Sequence, residues 1–420
     1  MRPSRRDLAR LLGLGTLGLT APGVLRADAS SISAIDRRFL FIFAKGGWDP
    51  VFALAPMFDS PYIALDERSL PGEANGIPFV DSWERPSVRR FFETWGGQTC
   101  MVHGMEVRAV THDQCRRLIM TGTNDVAADD WASTLAAPAT DLLLPSLVLS
   151  GPSFTTQHAR SVVRVGENGQ LAALLNGTAT PEVLSGDVSS LVDAHVRQRV
   201  DRFARDRHGG AGVVTADIGA ALDRLDAVRT LGSSIDLTVS EPDDAYLPVS
   251  ERAMPALRCL SQGLSRVAMV EHPGMLGKNW DSHSDGYMQS AHFEILFSDL
   301  NAILAEMSIM PGPYGGTLLS ETCVVVFSEM GRAPQWNAMN GKDHWTFTTA
   351  MMIGSGVSGG RVVGGYDPGL LGLRTNLTSG EVDEAGERLT SQHFGATLFA
   401  LGGIDPGEVP PIGAVLAGGV

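Results

Sequence analysis

Four stretches of the chain carry carboxylates and imidazoles directly after apolar runs or in the loops beside them. Asp49 follows the run Arg38–Ala44 across a Gly46-Gly47 turn. Asp281-Ser282-His283 comes after Val267–Val270, Ser328-Glu329 after Cys323–Phe327, and Asp343-His344 just before the next run. Aspartate, glutamate and histidine are ligands for zinc, manganese or magnesium, and two such groups are enough for a two-metal site. Any one of these residues reads equally well as a turn residue or helix cap. Convergence of several on one edge is what favours chemistry. Thr111 precedes a helical stretch, so its hydroxyl is expected at a helix N-terminus, where backbone N–H groups favour an anion. It is a candidate nucleophile and also a good cap. His112 beside it could ligate a metal or pair with an incoming anion.

These residues need a scaffold that brings strand ends together. Arg38–Ala44, Thr99–Val102, Leu147–Leu149, Val267–Val270, Cys323–Phe327 and Ala350–Ile353 are short apolar runs without alternation, which predicts strands buried on both faces. His112–Met120, Ser189–Ala204, Ala216–Leu231 and Ser284–Met307 carry apolar residues at helical spacing. Alternating strands and helices predict an α/β fold with an open, mostly parallel central sheet flanked by helices. In such sheets ligands bind beyond the carboxyl ends of the strands. The stretch at about 155–250 is helical and polar, and is expected to be an insertion on a single domain spanning 30–420.

The chain has 420 residues, 33 Lys+Arg against 47 Asp+Glu, and a formal net charge of −14. No basic stripe is available to displace phosphate counterions, which excludes a general nucleic-acid binder. Residues 1–29 read as a twin-arginine export signal: Arg5-Arg6, an apolar stretch Leu8–Leu19, and a small-residue cleavage site at Ala27-Asp28-Ala29. The expected partner is therefore the Tat export machinery and the expected location periplasmic or extracellular. No segment is long and apolar enough for a stable membrane span. Cys100, Cys115, Cys259 and Cys323 form no CxxC pair and are expected as buried apolar fillers.

Two motif spellings fail on context. Gly13-x-Gly15-x-x-Gly18 lies in the export signal with no strand before it. Ser358, in Gly356–Gly360, matches a nucleophile elbow, but Arg361-Val362-Val363 follows where a helix is required. Metal-independent acyl hydrolysis through Ser358 is accordingly the weakest reading.

Besides the twin-arginine start, FAKGGWDP ending at Pro50, THDQ at 111–114, NWDSH at 279–283, VVVFSEMGR at 324–332, GKDHW at 341–345 and IGSGVSGGRVVGGY at 353–366 resemble a family of exported bacterial proteins. That family is grouped with the alkaline phosphatase/sulfatase-like superfamily. The resemblance implies an alkaline phosphatase-like fold, with Asp49, Thr111 and Glu329 around one metal. It also implies Asp281, His283 and His344 around another, and Thr111 as the nucleophile. Glu329-Met330 stands where the superfamily usually has Asp-His, and Asp281 and His283 are more closely spaced than usual. His112 or Asp343 could fill the gap.

The expected activity is a metal-dependent hydrolysis of phosphate or sulfate esters, on a small anionic ester or a polymer-bound phosphate or sulfate. The alternative is a non-catalytic exported binding or assembly protein on the same scaffold. The chain has just three lysines, Lys45, Lys278 and Lys342, each close in sequence to Asp49, Asp281 or Asp343. A compact ammonium suits an anionic ester as a point charge, so at least two of the three are expected to point into the metal cleft.

Overall fold

The computed structural model describes residues 32–164 and 247–418, with isolated helical positions between 194 and 202. The expected export signal at 1–29, the stretch Ala216–Leu231 and most of Ser189–Ala204 lie outside the described residues. The eight strands of the central sheet are β1 (Arg38–Ala44), β2 (Thr99–Glu106), β3 (Ser146–Val148), β4 (Val162–Arg164), β5 (Val267–His272), β6 (Thr322–Ser328), β7 (Phe347–Gly354) and β8 (Arg361–Val363). Their spatial order is β8-β2-β7-β6-β1-β5-β3-β4. All neighbours pair in parallel except β7, which runs antiparallel to both β2 and β6. The mostly parallel α/β sheet expected from the sequence is present. Within 155–250, however, Val162–Arg164 forms an edge strand rather than part of a helical insertion.

Every residue of β1 is buried, because helices cover both sheet faces. Successive side chains alternate between those faces. Leu40 and Ile42 enter a core with Phe91 and Phe92 of α1 (Pro86–Trp95). α2 (His112–Thr121) lies on the opposite face, and α3 (Met288–Ile309) adds Phe293 and Phe297 to the first core. Phe39, Phe41 and Phe43 point the other way, to a core shared with Cys115 and Ile119 of α2 and with Phe394 and Leu398 of α4 (Ser391–Leu401). All four cysteines are free and buried, as expected of apolar fillers. Among the described residues no helix is long and apolar enough to cross a membrane.

Register determines what meets at the sheet edge. Ala44, the last residue of β1, is opposite His272 of β5 on one side and Ser328 of β6 on the other. The residues after these strands therefore emerge side by side. β7 runs the other way, so the residues before it, including His344, arrive at the same edge. β2 ends there too, and leads into Thr111 and His112 at the start of α2. One sheet edge thus receives the loops bearing every candidate residue.

Candidate metal centre

The loop after β5 brings Asp281 and His283 back over the strand ends. Its docking depends on Gly46, whose φ is +118° and where a Cβ would stand 2.5 Å from the Asp281 backbone nitrogen. The Gly-Gly turn was expected to let backbone approach a ligand; what it admits is the backbone of Trp280 and Asp281.

His344 donates from Nδ1 to the Val110 carbonyl at 2.6 Å. His283 Nδ1 lies 3.2 Å from Asp343 Oδ1. The Asp343 carboxyl is held below its usual range by the Asn337 amide and by His283, so it accepts rather than donates. A carbonyl and a carboxylate can only accept, so each ring carries a proton on Nδ1, and Nε2 of each is the atom turned toward the other ring. The two Nε2 atoms face each other at 2.8 Å. Asp281 Oδ1 lies 3.5 Å from His283 Nε2 and 3.9 Å from His344 Nε2. Burial, reinforced by the charges of Arg332 and His112, lowers the His344 pKa and keeps that ring neutral. Asp281, His283 and His344 thus gather three groups of the kind that could hold a cation. The backing of each imidazole by an oxygen acceptor is the usual support of metal-bound histidine.

His112 adjoins this group. Its Nε2 is 3.3 Å from Asp281 Oδ2 and its Nδ1 is 3.0 Å from Glu329 Oε1. Hydrogen bonds to Asp281 and Glu329 push the His112 pKa up to about 9, so the ring is an imidazolium at neutral pH. Ligand atoms of His112, Asp281 and His344 all lie within 4.8 Å of one another. Burial works against the Asp281 charge, but His112 and Arg332 outweigh it and hold the carboxyl well below the usual range.

The other expected residues fall elsewhere. Asp49 is fully buried and its Oδ2 lies 2.8 Å from the buried Lys342 Nζ. Burial raises the Asp49 pKa against the pull of Lys342. Glu329 accepts from the Gly46 backbone N–H at 2.9 and 3.0 Å as well as meeting His112. Thr111 occupies the N-cap position of α2, but its side chain makes no capping bond. Its exposed hydroxyl instead meets Gln114 Oε1 at 3.1 Å. The trio Asp49, Thr111 and Glu329 is therefore not joined by contacts as a second ligand set. Asp343 stands behind His283 rather than among the ligand atoms. The lysines do not converge: Lys45 pairs with Glu271 at 3.3 Å, Lys278 is exposed, and only Lys342 lies inside.

Two residues the motifs did not single out hold the site together. Arg332, fully buried, donates to the carbonyls of Gly46, Gly47 and Lys342 and to Asp281 Oδ1 at 2.9 Å. It ties the Gly46-Gly47 turn to the loops that carry Asp281 and His344 with one forked cation. Gln289 of α3 accepts from the Asp49 N–H at 3.0 Å and donates to the Trp280 carbonyl and Ser282 Oγ. Arg332 had a visible signal, an arginine three residues after Glu329. Gln289 had none, since a lone glutamine in a helix reads as surface.

A model of the family described as "Protein of unknown function (DUF1501)" matches residues 237–409, the stretch that carries Asp281, His283, Glu329, Asp343 and His344. No curated protein matches the chain. Among solved structures, the chain is similar to a protein in the alkaline phosphatase superfamily from Vibrio parahaemolyticus, at 9% identity, 90% coverage of this chain, 69% of that one and a TM-score of 0.37. It is similar to the lipoteichoic acid synthase LtaP from Listeria monocytogenes at 7% identity, covering 90% of this chain and 75% of that one, with a TM-score of 0.37. Similarity also extends to the alkaline phosphatase of the Antarctic bacterium TAB5, at 11% identity, 76% and 92% coverage and a TM-score of 0.33.

Proposed function

We propose that the chain is an exported, metal-dependent hydrolase of phosphate or sulfate esters, with one divalent cation held by Asp281, His283 and His344. The observation that carries this reading is the approach of the His283 and His344 Nε2 atoms to 2.8 Å beside the Asp281 carboxylate. When bound, the cation supplies Lewis-acid polarisation of the ester oxygen and lowers the pKa of a coordinated hydroxyl or water.

The remaining tasks fall to the chain. Asp343 and the Val110 carbonyl fix both imidazoles in the ligating tautomer. Arg332 holds Asp281 in place and sets a buried positive charge beside it. His112 keeps a proton on Nε2, next to Asp281, where it can protonate a leaving oxygen. Thr111 Oγ1, exposed one residue before His112, is the attacking hydroxyl in this reading.

One observation favours a second reading, a cation-dependent binding protein without turnover. Among the described residues Thr111 Oγ1 bonds only Gln114, and no base stands within hydrogen-bond reach of it. The deciding experiment is metal analysis of the full chain produced with its export signal, followed by aryl phosphate and aryl sulfate assays. Bound metal with turnover that is lost in His344→Ala supports hydrolysis. Bound metal without turnover on either ester supports binding alone, and a chain that takes up no metal overturns both.

A further inference from the structure

A cleft opens at the first turns of α2, the helix that His112 begins. It has a volume of about 440 Å³ and is lined by Asp113, Arg116, Arg117, Pro152, Ser153, Phe154 and Arg164. Three arginines against one aspartate leave two net positive charges in it, on a chain whose formal charge is −14. The volume falls in the range of ligand-binding clefts.

Its position links it to the site above. Arg116 stands one helical turn past His112 on α2, about 6 Å along the axis, and its Nε donates to the His112 carbonyl at 3.3 Å. Side chains on a helix lean toward its N-terminus, so Arg116 leans toward the metal centre. Among the described residues, each guanidinium keeps donors without a partner. Arg117 uses Nη1 on the Asp125 carbonyl at 3.2 Å and stacks 4.4 Å over the Phe154 ring. Arg164 uses Nη2 on the Gly151 carbonyl at 3.0 Å. Among the described residues, Arg116 alone of the three pairs with a carboxylate, that of Asp113. A guanidinium fixed on an aromatic face or a carbonyl loses little further freedom on binding, and its remaining N–H groups match an oxyanion in bidentate fashion.

We propose that this cleft binds a second oxyanion group of the ligand, so that the preferred ligand carries two or more phosphate or sulfate groups, one at the cation and another at Arg117 and Arg164. This rests on the reading of the metal centre as an oxyanion-ester site. A ligand with one charged group reaches only the cation, whereas one with two spans both subsites and gains from their linkage.

The test is calorimetric titration of the metal-loaded full chain at fixed ionic strength with two pairs of probes. The first is a trisulfated disaccharide against inorganic sulfate. The second is glucose 1,6-bisphosphate against glucose 1-phosphate, and the pair bound more tightly identifies sulfate or phosphate as the preferred group. Arg117→Gln/Arg164→Gln is expected to weaken the multiply charged member of that pair at least about tenfold, with the singly charged member unchanged. Arg117→Lys/Arg164→Lys retains part of the affinity. Equal weakening of both members, or no weakening of either, overturns the proposal. If the wild-type chain shows the tighter binding but cleaves no ester, the cleft assignment stands and hydrolysis fails.

Discussion

Lys342 holds its ammonium 2.8 Å from the Asp49 carboxylate with both side chains 1% exposed, so each buried charge at this sheet edge answers the other. The ammonium also sits 5.1 Å from the Trp336 ring centroid and 5.9 Å from that of Phe52. Removing one partner leaves the other buried and unpaired, which costs about 3–5 kcal/mol. Lys342→Met is therefore expected to destabilise the chain by that order in denaturant unfolding, and the double variant Asp49→Leu/Lys342→Met to recover most of the loss. Equal instability of the two variants would refute a paired-charge role.

The outer partners of the imidazoles give a second prediction. Asp343→Ala removes the acceptor that keeps the His283 proton on Nδ1. Loss of such a partner lowers metal affinity about 10- to 100-fold. Competition with a chromophoric chelator measures it, and an unchanged dissociation constant would show that Asp343 does not orient the ring.

Gly46 gives a third. A methyl group there meets the Asp281 and Trp280 backbone nitrogens at 2.5 and 2.7 Å, at a φ of +118°. Gly46→Ala is expected to cost about 1–3 kcal/mol and also to weaken metal binding, because the strained contact is to the ligand-bearing loop itself. A stability loss with metal affinity intact would place the effect elsewhere.

The pH dependence of stability follows from His103, far in sequence from the ligands. Burial pushes its pKa down to about 4, while Nδ1 meets Thr349 Oγ1 at 2.9 Å. Between about pH 6.5 and 4 the unfolded chain binds a proton here that the folded chain does not. Stability therefore falls as pH drops through that window and is regained above it. His103→Gln is expected to flatten the dependence of unfolding stability on pH by the share of one group, about 3 kcal/mol over the window. An identical slope in the variant would contradict this.

Much of the scaffold was legible because the buried strands are short apolar runs ending in glycine or polar residues. Arg38–Ala44 is the strand β1 itself, and Thr99–Val102 and Val267–Val270 fall short of their strands by a few C-terminal residues. The convergence of Asp281, His283, His344, His112 and Glu329 followed from the rule that parallel strands deliver their ends to one edge. Polar partner choice was not legible. Asp49 carries the same signal as Asp281, a carboxylate after a strand, yet it is sealed by a lysine nearly three hundred residues away in sequence. Lys45 and Lys278 sit near carboxylates in sequence but face Glu271 and solvent, because a four-carbon stem on a loop follows local backbone direction. Arg332 ends a quoted motif, but its bonds to the carbonyls of other loops, like those of Gln289, are displayed by no sequence pattern.

The central claim is a cation held by Asp281, His283 and His344, and elemental analysis of the purified full chain tests it most directly. One equivalent of a divalent metal per chain is expected, lost in His283→Ala/His344→Ala while Asp49→Asn retains it. A chain that binds no divalent metal, or a double variant that binds as much as the wild type, would contradict the account.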